Sequence, residues 1–267
     1  MLRKVFLSCM AMSVCMPLAM IGVANAQAPA KLTAAQIIEK NVSAKGGLEA
    51  WRAVQTISFT GKMEAGGKQN TELPLQLQLK RPHKSRMELE FQGTAVQVYD
   101  GTNGWKLRPF LGRDTVEPYS PEELKSASLE SELDGPLVDY AAKGTQVELE
   151  GVEKVEDHDT YKLKLTMKGE QARHLWIDAE TFLEAKIEGT PSRMDGKMHP
   201  VEIYYRDYRS VDGLMIPYVR ETVVLGLRQP SKHKISIETV AVNPKLEESV
   251  FAKPSPQLQA QAKAESK

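Results

Sequence analysis

Five histidines are the first residues to test for chemistry: His83, His158, His174, His199 and His233. A zinc or general-base pair on one local element needs two such residues within a turn or so of each other, and no two of these are that close. His158 lies between Asp157 and Asp159, a grouping that suits a metal or a charge relay. A polar hairpin turn explains the same three residues more simply. Asp100-Gly101-Thr102-Asn103-Gly104 opens like a calcium loop, but its twelfth position is Leu111 where that loop needs an acid. A β-turn accounts for it better. The sequence contains no Gly-x-Ser-x-Gly elbow, no phosphate-cradling glycine loop and no His-Glu-x-x-His. Its acidic residues follow strand alternation, so no carboxylate pair stands out. Cys9 and Cys15 both fall in the first 15 residues, which leaves the rest of the chain without thiol, disulfide or cysteine-ligated metal. No catalytic residue, metal or cofactor is expected, and the protein reads as a non-enzyme.

The chain has 267 residues, 41% hydrophobic and 26% charged, with 35 basic against 35 acidic side chains. That is an ordinary globular composition, enough for one large domain or two small ones. The balanced charge argues against a nucleic-acid partner, which calls for a basic excess or stripe.

Residues 1–26 read as a cleaved signal peptide. Arg3 and Lys4 precede an apolar stretch over residues 5–23, and Ala24-Asn25-Ala26 supplies the small-residue cleavage pattern. A membrane anchor would need roughly 20 uninterrupted apolar residues, and Ser8, Ser13 and Pro17 interrupt this run. Cleavage before Gln27 leaves 241 residues with net charge −2, because Arg3 and Lys4 leave with the signal. The expected destination is the periplasm. Residues 27–254 form the expected domain. Residues 255–267, rich in Gln, Ala, Lys and Ser, have little to bury and are expected to be disordered.

Two helix starts are written clearly. Thr33 and Gln36 have capping-box spacing, with Leu32 and Ile37 placed as a hydrophobic staple. This helix should stop at Gly46-Gly47, and a short turn from Leu48 should carry Trp51. Ser120-Pro121-Glu122-Glu123 gives an N-cap, a first-turn proline and a second capping box. Further helix is expected from Leu137 to Ala142. Most of the remainder alternates with period two. Ile57, Phe59 and Met63 share a face, as do Leu73, Leu75, Leu77 and Leu79, then Met87, Leu89 and Phe91. Tyr161, Leu163, Leu165 and Met167 form another row, opposite Lys162, Lys164 and Lys168; Val201, Ile203 and Tyr205 form one more, and Ile235 with Ile237 a late one. Turn signals at Gly66-Gly67, Asp100-Gly101, Asn103-Gly104, Asp195-Gly196 and Asp212-Gly213 separate about eleven such strands.

Charged residues at every second position exclude a parallel sheet buried on both faces. A sandwich, a closed barrel and an open curved sheet are left. Two capped amphipathic helical regions need an apolar surface to cover, which favours the open sheet. The expected fold is mainly β (α+β): an open antiparallel half-barrel with a helical lid. Leu75, Leu77, Leu89, Phe91, Leu163 and Leu165 are expected on its buried face.

Four segments in series resemble the outer-membrane lipoprotein-sorting family, the LolA/LolB superfamily. They are Gly46-Gly47-Leu48-Glu49-Ala50-Trp51; Asp100-Gly101-Thr102-Asn103-Gly104-Trp105-Lys106-Leu107; the run from Tyr205-Arg206-Asp207-Tyr208 through Asp212-Gly213-Leu214 to Pro217; and Val242-Asn243-Pro244 with Phe251 and Pro254. The resemblance is to the broad branch of the family and not to the carrier itself. It implies an incomplete eleven-stranded barrel whose helical lid encloses an apolar cavity for acyl chains. The carrier latches its lid with an arginine; Arg81 and Arg86 both qualify here. The receptor member presents an apolar loop residue, and Phe110-Leu111 either plays that part or packs Phe110 under the lid.

The expected function is therefore a periplasmic binder or carrier of lipid, acyl chains or lipoprotein, acting as a monomer. The ligand-lining candidates are Ile57, Phe59, Leu75, Leu77, Leu89, Phe91 and Trp105. The alternatives are an accessory protein that senses envelope lipids through a protein partner, and an enzyme whose residues meet only on folding.

Overall fold

The computed structural model describes residues 32–64, 71–167, 171–228 and 231–255. The expected signal peptide, the Gly66-Gly67 turn, Lys168 and all of the tail but Ser255 lie outside the described residues.

Helix α1 (Ala34–Ala44) begins as its sequence dictates. Gln36 N donates to Thr33 Oγ1 at 3.2 Å while Thr33 N donates to Gln36 Oε1 at 2.9 Å, so both arms of the capping box are closed. A short α2 (Leu48–Ala53) follows and buries Trp51. Helix α3 (Pro121–Glu130) has the second capping box, between Ser120 and Glu123. Residues 137–144 form turns instead of the expected helix. Asp139 sits at φ 53°, a left-handed conformation that interrupts a right-handed helix.

Thirteen strands make one sheet: β1 (Thr56–Glu64), β2 (Glu72–Lys80), β3 (Lys84–Glu90), β4 (Thr94–Tyr99), β5 (Gly104–Arg108), β6 (Arg113–Pro118), β7 (Gln146–Val155), β8 (His158–Thr166), β9 (Arg173–Asp178), β10 (Glu184–Met194), β11 (Lys197–Val211), β12 (Leu214–Val224) and β13 (Ser231–Val242). The spatial order is β6-β5-β4-β3-β2-β1-β13-β12-β11-β10-β9-β8-β7, antiparallel throughout. Two meanders are thus joined by the β1–β13 pair, and β6 and β7 remain as edges. The sheet is open, and α3 lies in the connection between the two edge strands. The count exceeds the expected eleven because strands as short as β5 and β6 hold too few alternations to be separated by pattern.

Register decides which residues share a face. Ile57 pairs with Leu79 and Val242, Phe59 with Leu77 and Val240, and Met63 with Leu73 and Ile235. Leu77 pairs with Met87, and Leu75 with Leu89. Directly paired residues point the same way, so these rows form one continuous apolar face, which extends through Ile203 and Ile187 to Leu175 and Leu163. This is the concave, lid-side face.

Its core is divided. Ile37 and Ile38 of α1 pack with Leu163, Leu165, Leu175, Ile177 and Ile187. Trp51, Val54 and Val138 pack with Ile57, Leu79, Leu214 and Ile216. A third cluster occupies the opposite face, where Val96, Val98 and Leu107 are covered by Phe251 from the C-terminal segment. Lys80, Arg86 and Lys84 tie that segment down through Leu246 O, Val250 O and the Glu248 carboxylate.

Candidate functional site

The helices anchor unequally. At the end of α1, Lys45 Nζ meets Glu184 Oε1 at 2.8 Å and Asp134 O at 3.2 Å. Trp51 Nε1 donates to Lys45 O, and the Tyr208 hydroxyl donates to Glu184. Arg81 donates to Trp51 O, Val54 O and Asp134 Oδ2. Of the two arginines with latch potential, Arg81 therefore ties helical segments to the sheet, whereas Arg86 serves the opposite face. Burial raises the Asp134 pKa, but hydrogen bonds from Lys143 and Arg81 outweigh it and hold this carboxyl below its ordinary value.

Helix α3 buries none of its residues. Its entry is fixed by Tyr119, whose ring lies against Gly104 so closely that a Cβ there would overlap it. That contact explains the glycine that ends the Asp100–Gly104 turn. Lys106 of β5 adds an ion pair to Glu123, at 2.5 and 2.6 Å. The far end of the helix, Glu130, reaches over strands β10–β13.

A cavity of about 440 Å³ lies there. Val201, Ile203 and Val224 give it apolar walls, and Thr190, Ser192, Met194, Thr222, Arg220, His233 and Glu130 complete the lining. The pairs Val201–Val224, Ile203–Thr222, Thr222–His233 and Arg220–Ile235 put these side chains on the concave face. Gly189 keeps the floor low, since a Cβ there would crowd Val201 and Ile203. Tyr205 stands beside the cavity in the same row. Burial pushes its hydroxyl up to about 12, outweighing the pull of the Arg220 cation in the other direction. Tyr205 is therefore neutral at ordinary pH and does not neutralise Arg220.

The residues expected to line a ligand are spread over three environments. Ile57 and Leu75 are buried in the sheet. Phe59, Leu77 and Leu89 are half-buried on the concave face. Phe91 is exposed at the β3–β4 turn, its ring 5.7 Å from that of Phe110. Trp105 pairs with Val98 and joins the cluster on the opposite face, so it points away from the concavity. Phe110 packs on Phe91, and Leu111 is exposed.

Of the cavity residues, His233 stands in the sequence only as one of five isolated histidines and Arg220 as an ordinary strand cation, although a signal was there. Arg220 falls in the row Leu214, Ile216, Tyr218, Thr222, Val224, and His233 in the row of Ile235 and Ile237. A charged or titratable residue inside an inward-facing row is the mark to look for. The other suspected sites resolve as turns. Thr102 N and Asn103 N donate to Asp100 Oδ1, and His158 opens β8 just after the turn from β7. Among the described residues, no group of three or more His, Cys, Asp or Glu is placed to hold a metal.

By sequence, the chain matches no family model and no curated protein. Solved structures do match it. A LolA superfamily protein from Nitrosomonas europaea superimposes with TM-score 0.53 at 17% identity, covering 84% of this chain and 99% of its own. The fold is LolA-like. A domain assigned to outer membrane lipoprotein-sorting proteins, from Vibrio parahaemolyticus, gives TM-score 0.52 at 13% identity over 81% of this chain and 95% of its own. A DUF1329 family protein from Desulfovibrio piger gives 0.53 at 15% identity over 83% and 98%. At these identities the likeness concerns the LolA-like fold.

Proposed function

We propose that this protein is a periplasmic binder or carrier of lipid, acyl chains or lipoprotein, held between the concave face of the LolA-like sheet and α3. The observation that carries this reading is the cavity of about 440 Å³ under the last turn of α3, within the size range of ligand pockets. Half-buried Phe59, Leu77, Met87 and Leu89 continue the same face beyond it. Leucine and methionine rows adapt to a flexible chain better than to a rigid polar metabolite. A helix that buries none of its own residues is a cover that opens at low cost. The signal-like residues 1–26 support export, with Gln27 as the mature N-terminus. A binder suits this lining better than an enzyme: the Ser231 hydroxyl lies 3.3 Å from His233 Nε2, but no third group among the described residues is hydrogen-bonded to the imidazole to orient it as a base.

A second reading has its own observation. Leu111, at the β5–β6 connection, and Met194 and Met198, beside the β10–β11 turn, are exposed, and exposed apolar side chains can serve as contact points for a partner. They favour an accessory protein that reports lipid occupancy to a protein partner.

Native mass spectrometry of protein taken from the periplasm, followed by lipid extraction, tests the proposal. The expected result is a co-purifying lipid or lipopeptide on a chain that starts at Gln27. Ligand-free protein that also refuses a fluorescent fatty acid rules out the carrier and leaves the partner-dependent reading.

A further inference from the structure

The cavity holds a cation that no described residue pairs with. The Arg220 side chain makes no hydrogen bond or ion pair with any described residue, and its Nε is shielded from solvent without a partner. On the neighbouring strand, His233 Nδ1 is shielded and unpartnered as well, while its Nε2 lies 3.3 Å from Ser231 Oγ. The two side chains are diagonal neighbours on one face, because Arg220 pairs with Ile235 and Thr222 with His233. Both line the cavity. A half-buried guanidinium without a counter-charge is costly, and six other arginines of the described residues avoid the situation. Arg52, Arg81, Arg86, Arg108, Arg206 and Arg209 each face a carboxylate. The acid nearest in the lining is Glu130, which is exposed on α3 and forms no ion pair with Arg220. Tyr205 remains protonated and supplies no charge.

We propose that Arg220 and His233 form the receptor for the anionic head of an amphiphile, a carboxylate or phosphate, whose alkyl chain runs along Val201, Ile203 and Val224. This deepens, and rests on, the lipid-binding reading above. The guanidinium offers a planar fork matched to two oxygens of such a head. His233 can add a donor without needing to be charged: in the tautomer whose Nε2 accepts from Ser231 Oγ, the proton sits on Nδ1. The Thr222 side chain, between them in register, completes a polar end to an otherwise apolar wall. Glu130 on the lid opposes the same charge, so it acts against the ligand and favours release.

The test is competition against a fluorescent fatty-acid probe by the mature protein, using oleate, oleyl alcohol and inorganic phosphate. Oleate is expected to bind at least tenfold tighter than the alcohol. Arg220→Gln should remove most of that preference while leaving the alcohol within about twofold, Arg220→Lys should restore part of it, and Glu130→Gln should tighten oleate alone. Because Arg220 has no partner to lose, Arg220→Gln should melt no lower than wild type, which separates a binding loss from a folding loss. Equal affinity for oleate and alcohol, or an Arg220→Gln variant weakened equally for both, overturns the head-group assignment and leaves the lipid reading standing. If neither amphiphile binds but phosphate does, dependent on Arg220, the anion site stands and the lipid reading falls. If nothing binds, both fall.

Discussion

Lys45 and Glu184 meet at 2.8 Å with each side chain only 8% exposed. This buried pair joins the last turn of the first helix to the start of β10. Tyr208 and Asp134 O supply further hydrogen bonds to it, and Lys45 also stands 5.2 Å from the Trp51 ring. One end of the concave face is thereby closed by a buried polar cluster. The other end, under α3, is held at the helix start by the Tyr119–Gly104 contact and the Lys106–Glu123 pair, and the helix itself has no fully buried residue. That asymmetry fits the fixed floor and movable cover that the proposed lipid-binding role requires.

Breaking the buried pair from one side should be severe. Lys45→Met leaves the Glu184 carboxylate buried without its cation, a situation that costs about 3–5 kcal/mol. Urea denaturation of the variant should show the midpoint falling accordingly. A change below about 1 kcal/mol would mean that water reaches this pair.

Acid should loosen the same end. Asp134 has its pKa lowered in the folded state, so its contribution is complete above the unfolded carboxyl value of about 3.9 and is lost as pH falls through the lower folded value. Thermal melts from pH 6 downward should show wild type losing stability below about pH 4. Asp134→Asn should be less stable at pH 6 and should show a flatter acid limb. An identical slope in both would remove Asp134 from the explanation.

Packed floor and open groove should separate by truncation. Leu163 is fully buried among α1, β8 and β9, and Leu163→Ala should cost about 2–5 kcal/mol. Leu77 is half-buried, so Leu77→Ala should cost about 1 kcal/mol or less. Equal losses would place Leu77 in a sealed core.

Weakening the lid tether should act on kinetics. Lys106→Gln removes the ion pair to Glu123 but leaves the Ser120 capping box intact. Stopped-flow release of a bound fluorescent fatty acid should accelerate several-fold with the melting temperature nearly unchanged. Unchanged release would show that α3 does not gate the cavity.

The elements were legible because local signals agreed with tertiary need. Both capping boxes formed as written at Thr33 and Ser120, and the leucine row 73–79 took one face. Trp105 went to the opposite face because strand pairing assigns sides: it is opposite Val98, whereas Leu89 is opposite Ala95. Composition cannot reveal that a C-terminal segment bearing Phe251 supplies a second apolar surface there. The cavity itself was hidden for a similar reason. Arg220, His233 and Glu130 come from β12, β13 and α3, and only the register of β12 on β13 and the reach of α3 bring them together.

Lipid binding between the sheet and α3 is tested by photo-cross-linking with a diazirine-bearing fatty acid followed by peptide mapping. Adducts are expected on the peptides spanning residues 190–203 and 220–235 and on the end of α3, competed away by unlabelled oleate. Adducts confined to the exposed tips at Leu111 and Met198, or to the opposite face around Val116 and Val250, would contradict it.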